Sequence, residues 1–178
     1  ETGVTYCYEG IEGKTITVKD GIVDVTATDE GFNVNGGDFG MMMRGGPSAE
    51  QDQTEDTEEE ESETVLRIRG GTVTVDSGGD GLDSNGDIYI EGGTIFVSGP
   101  SSDWDAAIDY GDGNCSFVIS GGTLMAGGYS GMAESPDNEE NSQCSIYYAA
   151  DDYCEEGDVM TLLDSEGNVI LTCAFRHG

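Results

Sequence analysis

LRIRGGTVTVDSGGDGLDSNGDIYIEGGTIFV, residues 66–97, holds two copies of one pattern and the turn between them. In each copy an alternating apolar–polar run meets a Gly-Gly corner, and a second alternating run follows. The corners are Gly70-Gly71 and Gly92-Gly93. The same pattern recurs outward in both directions. KTITVKDGIVDV (14–25) turns at Asp20-Gly21, and CSFVISGGTLMA (115–126) turns at Gly121-Gly122. Each unit also carries an acidic turn: YEGIEG (8–13), DEGFNVNG (29–36), GDGLDSNG (79–86) and WDAAIDYG (104–111). Aligning these turns puts Gly10, Gly31, Gly81 and Ala106 at one position, with steps of 21, 50 and 25 residues.

The middle step is long because it contains an insert, residues 36–63. Its first part is GGDFGMMMRGGPS, and its second, EQDQTEDTEEEESE, has nine carboxylates and no cation. Such a segment is expected to be a solvated loop bulging from one corner, or a calcium-buffering or partner-binding tail. Without it the period is near 22 residues. A unit that short cannot bury its apolar face alone, but stacked units can. The expected fold is therefore all-β: a right-handed parallel β-helix, or solenoid, of about four rungs. Inward positions would be Ile16, Val18, Val23, Val25, Leu66, Ile68, Val73, Val75, Ile88, Ile90, Ile95, Val97, Leu124, and Val118 or its neighbours. No window sustains a helical period.

The 178 residues suit a single domain, and the repeat dissolves after Gly128. SIYYAA, DVMTLLD and NVILTCAF, within 143–178, are expected to be capping strands. The last two should form a hairpin through Asp164–Asn168 that covers the open end of the stack.

Charge narrows the partners. The chain has 37 acidic and 6 basic residues, a formal net charge of −31. That surface repels nucleic acid and anionic lipid, and no apolar run has the length for a membrane helix. A monomer, or one module of a larger surface protein, is expected. Five cysteines (Cys7, Cys115, Cys144, Cys154 and Cys173) fit no zinc spacing. Three fall in the last 35 residues, where one disulfide has room, and the setting expected is secreted or cell-surface.

The acidic turns recur in register. Stacked carboxylates about 4.8 Å apart repel each other unless a cation lies between them. Calcium takes 6–8 oxygen ligands, backbone carbonyls included. The candidate calcium ligands are Glu9, Glu12, Asp29, Glu30, Asn33, Asp80, Asp83, Asp103, Asp105 and Asp109. An all-oxygen set indicates a hard cation rather than zinc or copper. The same residue types also favour turns with no ion present. Trp104 and Tyr110 flank the last acidic turn and are candidates for stacking on sugar rings, or for packing on the neighbouring rung. Catalysis finds little support. The lysines are Lys14 and Lys19, the arginines Arg44, Arg67, Arg69 and Arg176, and the one histidine is His177. No nucleophile–base set can be assembled from them.

Residues 70–114, GGTVTVDSGGDGLDSNGDIYIEGGTIFVSGPSSDWDAAIDYGDGN, resemble the secreted bacterial carbohydrate-binding β-helix domain family, which is related in fold to the family 9 pectate lyases. The Gly/Met-rich stretch and VMTLLDSEGNVILTCAF add to the likeness, and Asp80-Gly-Leu-Asp83 is its most specific motif. The resemblance implies calcium between turns, with Asp80, Asp83, Asp105 and Asp109 matching the family's acidic turn. It also implies non-catalytic binding of plant cell-wall polysaccharide, such as acidic pectic chains or cellulose. Asn33 stands where the family turn would place Asp. The alternatives are a cell-surface adhesin or spacer, and a calcium-dependent pectate lyase.

Overall fold

A computed structural model describes residues 8–35, 64–137, 143–150 and 154–176. The acidic insert, residues 36–63, lies outside the described residues. Among them the fold is all-β, with fourteen strands and no helix.

Twelve strands are parallel and fall into three four-stranded sheets. The first sheet is built from β1 (Ile11–Glu12), β4 (Phe32–Val34), β7 (Leu82–Ser84) and β10 (Ile108–Tyr110). The second contains β2 (Thr15–Val18), β5 (Val65–Ile68), β8 (Asp87–Ile90) and β11 (Phe117–Ile119). The third contains β3 (Ile22–Ala27), β6 (Thr72–Ser77), β9 (Thr94–Ser98) and β12 (Thr123–Gly127). The chain visits the three sheets in the same order four times, and each strand pairs with its counterpart in the next pass. β13 (Val159–Leu163) and β14 (Val169–Ala174) form the separate antiparallel hairpin.

The core is one apolar column between the sheets. Leu66, Ile68, Val73, Val75, Ile88, Ile90 and Ile95 are fully buried, as their alternation predicts. Ile16, Val23 and Leu124, on the outer passes, are only partly covered. At β11 the inward residues are Phe117 and Ile119, while Val118 aligns with the outward Tyr89. The alternating runs did not announce the first sheet. Phe32, Val34, Leu82 and Ile108 bring it into the core from within the acidic turns.

Glycine is required at two recurring places. The second residue of each corner has positive φ (Gly21 100°, Gly71 85°, Gly93 93°, Gly122 81°), a region that side chains rarely adopt. Beside the first sheet, a Cβ on Gly10, Gly31 or Gly81 would strike Cγ1 of Val25, Val75 or Val97 and the backbone of the next pass. The fourth member of this row is Ala107, because Leu82 pairs with Ile108. The sequence alignment that equated Gly81 with Ala106 is therefore one residue out of step. Among the described residues no further strand pairs with β10, the strand that Ala107 precedes.

The hairpin forms through Asp164–Asn168, but its apolar residues Val159, Leu163, Val169 and Ile170 are exposed and its end anchors on the third sheet; residues 145–150 make no strand, so SIYYAA is not a capping strand. Beyond β14 the chain anchors on the outer face of the third sheet. Phe175 is buried against Gly127, and the Arg176 backbone N–H donates to Ser98 Oγ at 3.0 Å. The Arg176 guanidinium forks onto Asp24 at 2.7 and 3.1 Å. Cys115, Cys144, Cys154 and Cys173 are all free thiols, so no disulfide links the three cysteines of the last 35 residues.

Candidate functional site

The acidic turns contain the short strands of the first sheet, and that geometry arranges their carboxylates. In β4 and β7 the apolar residue turns inward and the next residue outward. Parallel pairing then sets Glu12 beside Asn33, Asn33 beside Asp83, and Asp83 beside Asp109 in a single outward column. A second column, Glu9, Glu30 and Asp80, precedes the glycine row. It is fixed by backbone bonds from Gly10 N–H to the Glu30 carbonyl (2.9 Å) and from Gly31 N–H to the Asp80 carbonyl (2.8 Å). On the fourth pass Ala106 takes the place of an acid, and its N–H donates to Asp80 Oδ1.

Asp80, Asp83 and Asp109 each offer a carboxylate oxygen within 4.8 Å of the others. Burial, followed by the charges of Asp109, Asp80, Glu30 and Glu9, pushes the Asp83 carboxyl up to about 7. Burial raises Asp80 to about 6 against the opposing Ala106 hydrogen bond, with Asp109, Asp105 and Asp29 adding repulsion. Glu30 reaches about 7, through burial first and then Asp29, Glu9 and Asp80. Asp109 and Glu9 are raised for the same primary reason. No described ion pair relieves this ladder: Arg67–Glu91, Arg69–Glu91 and Arg176–Asp24 all lie elsewhere.

One pass below the triad, Asn33 is 8% exposed and its Oδ1 has no hydrogen-bond partner; Glu9 Oε2 is likewise buried and unpartnered. A buried acceptor without a donor costs roughly 1–3 kcal/mol. Two such oxygens beside further carboxylates form a setting that a cation would satisfy. The donors are oxygen only, which fits calcium.

The other candidate residues are placed as follows. Asp29 lies close enough to raise Glu9, Glu30 and Asp80. Glu12 accepts from Asn35 Nδ2 at 2.8 Å. Asp105 accepts from Ser102 Oγ and adds its charge to Asp80 and Asp109. Asp103 is exposed in the turn after β9 and belongs to no described grouping. Trp104 stands 87% exposed, whereas the Tyr110 ring tilts against Phe117 at 6.0 Å and packs on the core. The sequence reading missed Glu134, which comes from the loop after the last repeat. It accepts from Tyr110 N–H at 3.2 Å and repels Asp109 and Asp80. It has no repeat register, so no sequence signal pointed to it.

Searches among curated proteins and among solved structures gave no match. A family model described as carbohydrate-binding domain-containing protein matches residues 5–106, more than half of the chain. That span includes Glu9, Glu12, Glu30, Asn33, Asp80 and Asp83 and therefore most of the oxygen ladder. The chain belongs to this family of carbohydrate-binding domain-containing proteins.

Proposed function

We propose that this chain is a non-catalytic, calcium-dependent polysaccharide-binding module of the cell exterior, folded as a right-handed parallel β-helix. The constant order of the three parallel sheets supports that winding, and its hand follows the general hand of parallel crossovers. Asp80, Asp83 and Asp109 would hold one calcium ion. Glu9, Glu30 and Asn33 Oδ1, on the first and second passes, would hold a second. A bound ion supplies the positive charge that the ladder lacks, together with coordination positions open to a uronate carboxylate. The chain's own part is to hold the oxygens in register on parallel strands and to keep Trp104 exposed beside them. The ligand class that suits this arrangement is plant cell-wall glycan, acidic pectic chains or cellulose.

The observation that carries the reading is the family match across the ladder-bearing residues. A depletion assay tests it. Calcium-loaded protein is mixed with insoluble pectin or cellulose and spun, and the supernatant should lose protein. Undiminished supernatants with every polysaccharide would overturn the reading. Calorimetric titration with calcium should show binding to the wild type that Asp80→Asn weakens.

A further inference from the structure

Cations are scarce in this chain, and the fold gathers them. Among the described residues the basic side chains are Lys14, Lys19, Arg67, Arg69 and Arg176. Arg176 is committed to Asp24. The other four lie on, or at the ends of, the adjacent strands β2 and β5 of the second sheet.

Strand register arranges their outward side chains in two rows. Thr17, Arg67, Tyr89 and Val118 form one. Lys19, Arg69, Glu91 and Ser120 form the next, fixed by N–H bonds from Arg69, Glu91 and Ser120 to the carbonyls of Val18, Ile68 and Ile90. The Arg67 guanidinium lies 4.3 Å from the centre of the Tyr89 ring, which holds its planar donors in place. Glu91 accepts from both Arg67 and Arg69 (3.0 Å for Arg69), so the three together keep one net positive charge. Asp87 accepts from the Tyr89 hydroxyl and the Ser116 N–H, and Asp20 from the Gly21 N–H at its corner; both keep their negative charge at this face. Lys14, Lys19 and Thr17 are exposed.

We infer that the outer face of the second sheet is the contact surface for a carboxylate-bearing polysaccharide, a polyuronate. The inference rests on the reading of the chain as a polysaccharide binder. Electrostatic interactions are screened beyond about 8 Å at physiological ionic strength. Lys14, Lys19, Arg67 and Arg69 against Asp20, Asp87 and Glu91 leave this face one net positive charge in a chain of −31, and screening limits the repulsion that a docked polymer meets from more distant carboxylates. Arg69 and Lys19 present donors to uronate carboxylates, and Thr17 and Ser120 present hydroxyls to ring hydroxyls. Lys19 and Arg69 stand on adjacent rungs about 4.8 Å apart, so the two donors follow one another across the strands. A neutral glycan gains hydrogen bonds from these donors but no ion pairing, so the face favours acidic chains.

The test is affinity electrophoresis in calcium through gels containing polygalacturonate or hydroxyethyl cellulose. The variants are Lys19→Gln/Arg69→Gln and Glu91→Gln, each with its melting temperature checked. The double variant should bind polygalacturonate about tenfold more weakly, the effect of losing two exposed charge contacts. Glu91→Gln should bind it more tightly, because the competing carboxylate is gone. Wild-type affinity in a folded double variant overturns the basic face and leaves calcium bridging as the route. Retardation of the wild type by hydroxyethyl cellulose alone also overturns the face, yet keeps the carbohydrate-binding reading. Retardation by neither polymer defeats both.

Discussion

Replacing Asp83 by Asn should shift stability in opposite directions with and without calcium. Asp83 sits in the outward column beside Asp109 and Asn33, within 4.8 Å of Asp80 and Asp109 oxygens. Its carboxyl is raised from the ordinary 3.8 to about 7, so ionising it in the folded, ion-free protein is unfavourable. After allowance for solvent screening, that cost at pH 7.5 is about 1–2 kcal/mol. The neutral amide removes it. In chelator the variant should melt higher by about 2–8 °C, since each kcal/mol moves a domain of this size by about 2–4 °C. With calcium at a hundredfold excess over Kd the wild type gains about 2.7 kcal/mol. If the lost ligand weakens binding a hundredfold, the variant gains only about 0.4 kcal/mol. The two melting curves should therefore exchange order between chelator and calcium, as followed by circular dichroism. A variant that melts below wild type in chelator, or that keeps the full calcium increment, would refute the view that repelling carboxylates share an ion.

Other outcomes follow from the same geometry. Gly81→Ala places a methyl group against Val97 and the Ala107 backbone and should lower stability by about 1–3 kcal/mol in urea melts, whereas Ala107→Gly, which removes a methyl group that the fold already accommodates, should cost much less. Leu82→Ala, at a side chain with no solvent exposure, should cost about 2–5 kcal/mol; a smaller loss would mean that the first sheet contributes little to the core. In chelator, stability should rise as pH falls from 8 to 5. The folded carboxyls of Glu30, Asp83 (both about 7) and Asp80 (about 6) take up protons there, while the unfolded chain waits until about 4. That gain is complete below about 4 and is lost as pH rises through 6–7; calcium, which needs the deprotonated groups, should flatten or invert the slope. Asn33→Asp should tighten calcium binding in calorimetry and lower the melting temperature in chelator, because it adds a carboxylate beside Glu9 and Glu30.

Two of the three sheets were legible because runs such as Leu66–Ile68 and Thr72–Val75 are long enough to show alternation, and their Gly-Gly corners mark where one sheet gives way to the next. The first sheet was not. Its strands are two or three residues long, and Leu82-Asp83-Ser84 inside a Gly/Asp-rich turn looks like turn chemistry. Its buried Phe32 and Leu82 are what convert a recurring acidic turn into a registered column. The one-residue slip at Ala107 had the same origin: Trp104–Tyr110 contains no glycine to align on. Tyr110 was open to two readings, sugar stacking or packing, and the inward-facing Phe117 of the neighbouring strand draws its ring against the core. The four-cation cluster on the second sheet was invisible as a cluster, because β2 and β5 are neighbours only after the chain between them has been passed over.

The central claim, that calcium-loaded protein binds polysaccharide, is tested most directly by affinity electrophoresis against neutral and acidic polysaccharides, with calcium and with chelator. Polygalacturonate should retard the calcium-loaded protein, and chelator should weaken that retardation as the ladder loses its ions. Free migration through every polysaccharide, by protein shown to be folded and calcium-loaded, would contradict the account.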